Sequence, residues 1–126
     1  VTFYLGLANI EQMRNHSINA KQYLFDALNI LKTLKDYYFW FRAIAISAYF
    51  AVGQQQKFQA AIFFGWLNRW SALSTQVPPP VYQAEFDRYL AQVHEGLSES
   101  EFNAAWAEGQ SMSQEQILAL AMDVLQ

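Results

Sequence analysis

Only a few side chains in this 126-residue sequence are of types that do chemistry, and their spacing is the first thing to weigh. The histidines are His16 and His94, and cysteine is absent, which removes disulfides, thiolate ligands and thiolate nucleophiles together. No His-x-x-x-His or His-x-x-Glu pair exists to hold a metal. Asp87, seven residues before His94, shares a face with it, but two groups make a poor coordination sphere. Glu85 and Asp87 are two residues apart and point in different directions on a helix, so they do not form an acid/base pair. Glu99 and Glu101 fall at a helix start, where negative charge is favourable in any case. No glycine-rich phosphate loop, nucleophile elbow or lysine-bearing nucleotide motif occurs. The sequence therefore predicts no catalysis, no metal and no cofactor.

Composition narrows the class further. Lys plus Arg is 8 and Asp plus Glu is 11, a net charge of −3, with no basic stripe to attract a phosphate backbone. Direct nucleic-acid binding is not expected. Charged residues are 15%, against roughly 25% in an ordinary soluble domain, while aromatic residues reach 17%. So little charge predicts a face that something else covers. The length suits one domain with its own core. The start at Val1 reads as a piece of a longer protein, without a signal-peptide pattern. The lack of cysteine fits a reducing, cytoplasmic setting.

The elements that would position these residues are helical. Leu24, Leu28, Leu31 and Leu34 form one amphipathic stripe. The pattern predicts helices near 2–14, 18–35, 37–52 and 55–74, with breaks at Asn15–Ser17, Lys35–Asp36 and Gly53. Pro78, Pro79 and Pro80 stop any helix, although Pro80 can occupy a first turn. A helix from about Val81 to Glu95 should close at Gly96. Ser98 with Glu101, and Ser113 with Gln116, are capping boxes opening two more helices. Phe102 and Trp106 give the first of these one apolar face, and Gly109 is read as its left-handed stop. The fold class expected is all-α, with seven helices. Residues 1–76 would form two hairpins, and 77–126 a proline loop with closing helices. The run from Tyr37 to Val52 is 16 residues long and contains Arg42, too short and too costly for a membrane span.

A repeat is visible at a spacing of about 40 residues. Ala20, Leu24 and Ala27 share a frame with Ala60, Phe64 and Leu67, and Tyr4, Leu7 and Ala8 align with Ile44, Ser47 and Ala48. This frame resembles the tetratricopeptide repeat, with Ala8 in place of its glycine, Glu11 in place of its tyrosine and no proline following at Lys32. The second half is similar to the C-terminal helical region of large bacterial signal-transducing ATPases and transcriptional regulators. The residues that carry this likeness are Phe58–Gly65 and the run Phe102, Ala104, Ala105, Trp106, Ala107, Glu108, Gly109, Met112, Ser113 and Glu115. The resemblance implies antiparallel helical hairpins in a superhelix, sealed by a C-terminal cap. It also implies a protein-binding role within a multidomain regulator.

In a tetratricopeptide-like array the first helix of each repeat lines a concave groove. That assigns Thr2, Leu5, Asn9 and Gln12, with Arg42, Ala45 and Tyr49, to partner binding. Arg42 inside an apolar run needs solvent, an anionic partner or an internal pair. Five successive rings from Tyr37 to Phe41 point in five directions, more than one core can take. Some of them should contact other protein. The expected partners are a second protein, upstream domains of the same chain, or a second copy. The alternative is a small-molecule sensor, with Tyr38, Trp40, Phe63 and Trp66 enclosing a hydrophobic ligand.

Overall fold

The computed structural model describes residues 17–33, 37–73 and 80–125. Six α-helices occupy them, with no strand among the described residues: α1 (Ser17–Leu31), α2 (Tyr37–Gly53), α3 (Lys57–Leu73), α4 (Pro80–Gly96), α5 (Glu99–Ser111) and α6 (Gln114–Val124). The expected helix over 2–14 lies outside the described residues, as do Thr2, Leu5, Asn9 and Gln12. So do Pro78 and Pro79, whereas Pro80 opens α4.

Two helices form the centre. Every residue from Arg42 to Val52 of α2 is buried, and so is every residue from Ala60 to Leu67 of α3. A helix apolar on all sides has to be surrounded. Accordingly, α2 touches α1, α3, α4 and α6, while α3 touches α2, α4, α5 and α6. The repeat-frame residues Ala20, Leu24, Ala27, Ala60, Phe64 and Leu67 are all buried. The last helix also packs on α1. Contacts between α6 and the first two helices join distant parts of the chain, so α6 does more than cap the preceding hairpin. No helix among the described residues is long and apolar enough to cross a membrane.

Among the described helices the most extensive contact is α3 with α5, and two glycines explain it. A Cβ on Gly109 would overlap the Ile62 carbonyl oxygen and lie 2.9 Å from the Trp66 nitrogen. A Cβ on Gly65 would overlap the Trp106 carbonyl oxygen and lie 2.9 Å from its Cα. The two backbones therefore touch, at a separation no side chain permits. Gly65 meets Trp106, Trp66 meets Gly109, and Asn68 and Arg69 meet Gln110, so the register advances together and the helices run parallel. Gly109 thus has a role different from the expected one. It does not close its helix: α5 continues to Ser111, and no described glycine has positive φ.

The turn after α2 is the reverse case. There the left-handed residue is Gln55, at φ 62°, and not a glycine. Gln56 N–H donates to the Ala51 carbonyl at 2.8 Å and Gln55 N–H to that of Val52 at 3.1 Å, the paired bonds of a Schellman stop. At the end of α1, the backbone N–H and the hydroxyl of Thr33 both donate to the Ile30 carbonyl, and the helix stops at Leu31, short of the expected 35.

Two stability predictions follow from these backbone facts. Gly109→Ala or Gly65→Ala should destabilise by at least about 2 kcal/mol in chemical denaturation, because overlap with fixed backbone outweighs alanine's helix propensity of about 1 kcal/mol. Gly96→Ala, whose Cβ meets only the flexible Lys57 side chain, should cost far less. Gln55→Gly should stabilise by about 0.5–1 kcal/mol by relieving the left-handed conformation. An unchanged midpoint would contradict that assignment.

Candidate functional site

The sequence-assigned groove residues of α2 are all buried, and two of them, Arg42 and Tyr49, lie against α4. Arg42 is 8% exposed, Ala45 and Tyr49 1% each. Arg42 Nη1 lies 3.8 Å from Glu85 Oε1 of α4. The Tyr49 ring stacks on Tyr89 of α4, with centroids 4.3 Å apart. Phe86 of α4 meets Phe64 edge-on at 4.9 Å and stacks near Phe41 at 6.3 Å. Of the choices open for Arg42, the structure shows the internal pair. Burial, and secondarily the Glu85 carboxylate, push the Tyr49 phenol above its ordinary pKa, so it stays neutral. These groups hold α4 in place. Asp87, beside Glu85 in sequence, turns away and accepts from Gln83 at 2.9 Å.

Of the four rings assigned to a ligand pocket, the three described ones, Trp40, Phe63 and Trp66, do not line one groove together. Phe63 and Trp66 lie in the core, 0% and 1% exposed. Trp66 stacks on Trp70 at 4.9 Å, and its Nε1 has no hydrogen-bond partner among the described residues. The Tyr38 side chain lies outside the described residues. Trp40, 6% exposed, is at a different place, on the edge of an open groove.

That groove, of about 570 Å³, is the candidate site that the described residues offer. One wall is the end of α1 and the start of α2, with Lys32 and Trp40; the other is α6, with Gln114, Glu115, Leu118, Ala119 and Met122. It arises because α6 is apolar on more than one side. Ile117, Ala121 and Leu125 face the core, which leaves Leu118 and Met122 half-buried and Ala119 exposed. The periodicity could have signalled this, since Leu118, Leu120, Met122 and Val124 exceed what one stripe requires. A second groove, lined by Asn19, Lys21, Gln22 and Phe25 of α1 with Leu125, sits at the other end of the same pair. Lys32 follows the C-terminus of α1 and lies near the start of α6, while Asn19 lies near its end. The two helices are therefore antiparallel.

Family models, curated proteins and solved structures give no match to this chain.

The His94 ring stacks on Phe102 at 3.7 Å and ties α4 to α5. Among the described residues no three His, Asp or Glu side chains gather as a metal site would require. Both expected capping boxes are present. Ser98 N–H donates to Glu101 Oε1 and Glu101 N–H to Ser98 Oγ, each at 3.1 Å, while Ser113 and Gln116 exchange the same bonds at 2.9 and 3.2 Å. The bond from the Ser98 amide, and then that with its side chain, hold the Glu101 carboxyl below its ordinary value of 4.5. A lowered carboxyl pKa stabilises the folded state above the ordinary value and ceases to do so as pH falls through the lowered one. In an acid titration followed by NMR, the Ser98 amide should therefore shift with a midpoint below 4.5, while the Ser113 amide, bonded to a glutamine, should show no such step. Two parallel titrations would contradict the assignment.

Proposed function

We propose that this chain is a non-catalytic helical interaction domain that binds a protein partner, or neighbouring domains of its own parent chain, along the groove that Lys32 and Trp40 form with α6. The observation that carries the reading is α6 itself, with its apolar side of Leu118, Ala119 and Met122 open toward Trp40. Half-buried leucine and methionine around an exposed alanine form a surface a second apolar element can enter closely. The low charge content and the tetratricopeptide-like frame support the same reading. In it, α1 to α3 belong to degenerate tetratricopeptide-like hairpins, and α4 to α6 close them at the C-terminal end of a multidomain bacterial regulator. Such a domain works in the cytoplasm, and a second copy is an alternative occupant of the surface. Direct binding of nucleic acid or membrane is not part of the proposal.

A second reading, a small-molecule sensor, is favoured by one observation. The groove volume falls within the range of about 300–1,000 Å³ typical of ligand clefts, and Trp40 edges it. The two readings separate in one experiment. Ala119→Arg fills the groove from an exposed position and should leave the fold intact. It should weaken co-elution with the parent protein's neighbouring domain by at least about tenfold, the effect of roughly 1.4 kcal/mol. Thermal shifts from a metabolite panel, lost in the same variant, would support the sensor instead. A chain that neither co-elutes with the neighbouring domain nor responds to metabolites would overturn both.

A further inference from the structure

If the groove along α6 is an interaction site, as proposed above, its shape and charges specify the partner further. Its α6 wall consists of positions 114/115, 118/119 and 122, a stripe that repeats every fourth residue over two turns, about 12 Å along the axis. Such a stripe is the complement of another helix rather than of a compact ligand. Apolar anchors three or four residues apart on the incoming helix would sit beside Leu118 and Met122. The Ala119 methyl, with nothing longer to displace, lets the two backbones come close. The charges lie at one end only: Lys32 is on the α1 wall and Glu115 on the α6 wall, both beside the start of α6. The groove therefore has a transverse polarity at that end and none at the other, where Met122 lies.

We infer that the groove receives an amphipathic helix of a partner protein, and that Lys32 and Glu115 fix the direction in which it lies. The partner carries an acidic residue on the flank facing Lys32 and a basic one on the flank facing Glu115, at the same level of its apolar stripe. A helix entering the opposite way would place those charges at the Met122 end, where neither is met. With the flanks exchanged at the same end, each charge would face its own kind. Reading polarity in this way gives specificity and direction more than raw affinity.

The test uses two synthetic helices of identical composition, three turns long, with leucines at every third or fourth position. In one the flanking acid and base are placed as above; in the other they are exchanged. Binding is followed by fluorescence anisotropy with the intact chain at low salt. The matched helix should bind about five- to tenfold more tightly, as expected for two exposed charge pairs changing sign, and 0.5 M salt should largely abolish the difference. In the double variant Lys32→Glu with Glu115→Lys, whose substitutions are both at exposed positions, the preference should reverse. Equal binding of both helices, blocked by Ala119→Arg, would leave the groove as an interaction site but overturn the charge-directed orientation. Binding of neither helix would overturn the helical partner itself.

Discussion

Two helix backbones meet without side chains between them, at Gly65 of α3 and Gly109 of α5, and the placement of the C-terminal half depends on that contact. Ordinary helix packing leaves room for side chains to adjust. A glycine against a carbonyl does not, because the neighbour cannot move without moving its helix. Gln110 extends the contact at its far end, donating through Nε2 to Asn68 at 3.0 Å and accepting from Arg69 through its carbonyl. With α5 parallel to α3, α4, which precedes α5 in the chain, must run opposite to both, and it does so over the Arg42, Tyr49 and Phe64 side of the central helices. The bend at Met112 then sends α6 onto α1, α2 and α3, and the groove is a consequence of that return.

The centre has a different logic. In the buried stretches 42–52 of α2 and 60–67 of α3 nearly every side chain is apolar, so hydrophobic burial holds them without specifying how they are rotated. Specificity comes from the few polar groups. The Arg42–Glu85 pair is nearly buried, and such pairs contribute little net stability but penalise arrangements that separate them. A neutral Tyr49 beside the pair adds no third charge. Arginine in a sixteen-residue apolar run is thus satisfied within the protein rather than by solvent or lipid.

Much of this architecture is legible in the sequence, for local reasons. Helix periodicity, the Ser98 and Ser113 boxes and the break at Gly53 all depend on residues within a turn or two of one another. What was not legible depends on distance along the chain. Nothing near Gly109 distinguishes a helix stop from a close approach, because the deciding atoms belong to Ile62 and Trp66. Glu85 lies 43 positions beyond Arg42, so the internal pair could be named as an option but not chosen. The ring run from Tyr37 to Phe41 signalled contact, yet of the rings assigned to a pocket only Trp40 edges a groove, while Phe63 and Trp66 vanish into the core. The site residues on α6 were hidden by their own ordinariness, since leucine, alanine and methionine at helical spacing read first as core.

The contact between α3 and α5 can be observed directly. In a nuclear Overhauser spectrum of the intact chain, the Gly109 α-protons should show strong cross-peaks to protons of Ile62 and Trp66, and the Gly65 α-protons to the Trp106 α-proton. Spectra with α5 helical through Ser111 but without those cross-peaks would mean that the two backbones do not touch, and the arrangement of α4 and α6 built on them would fail.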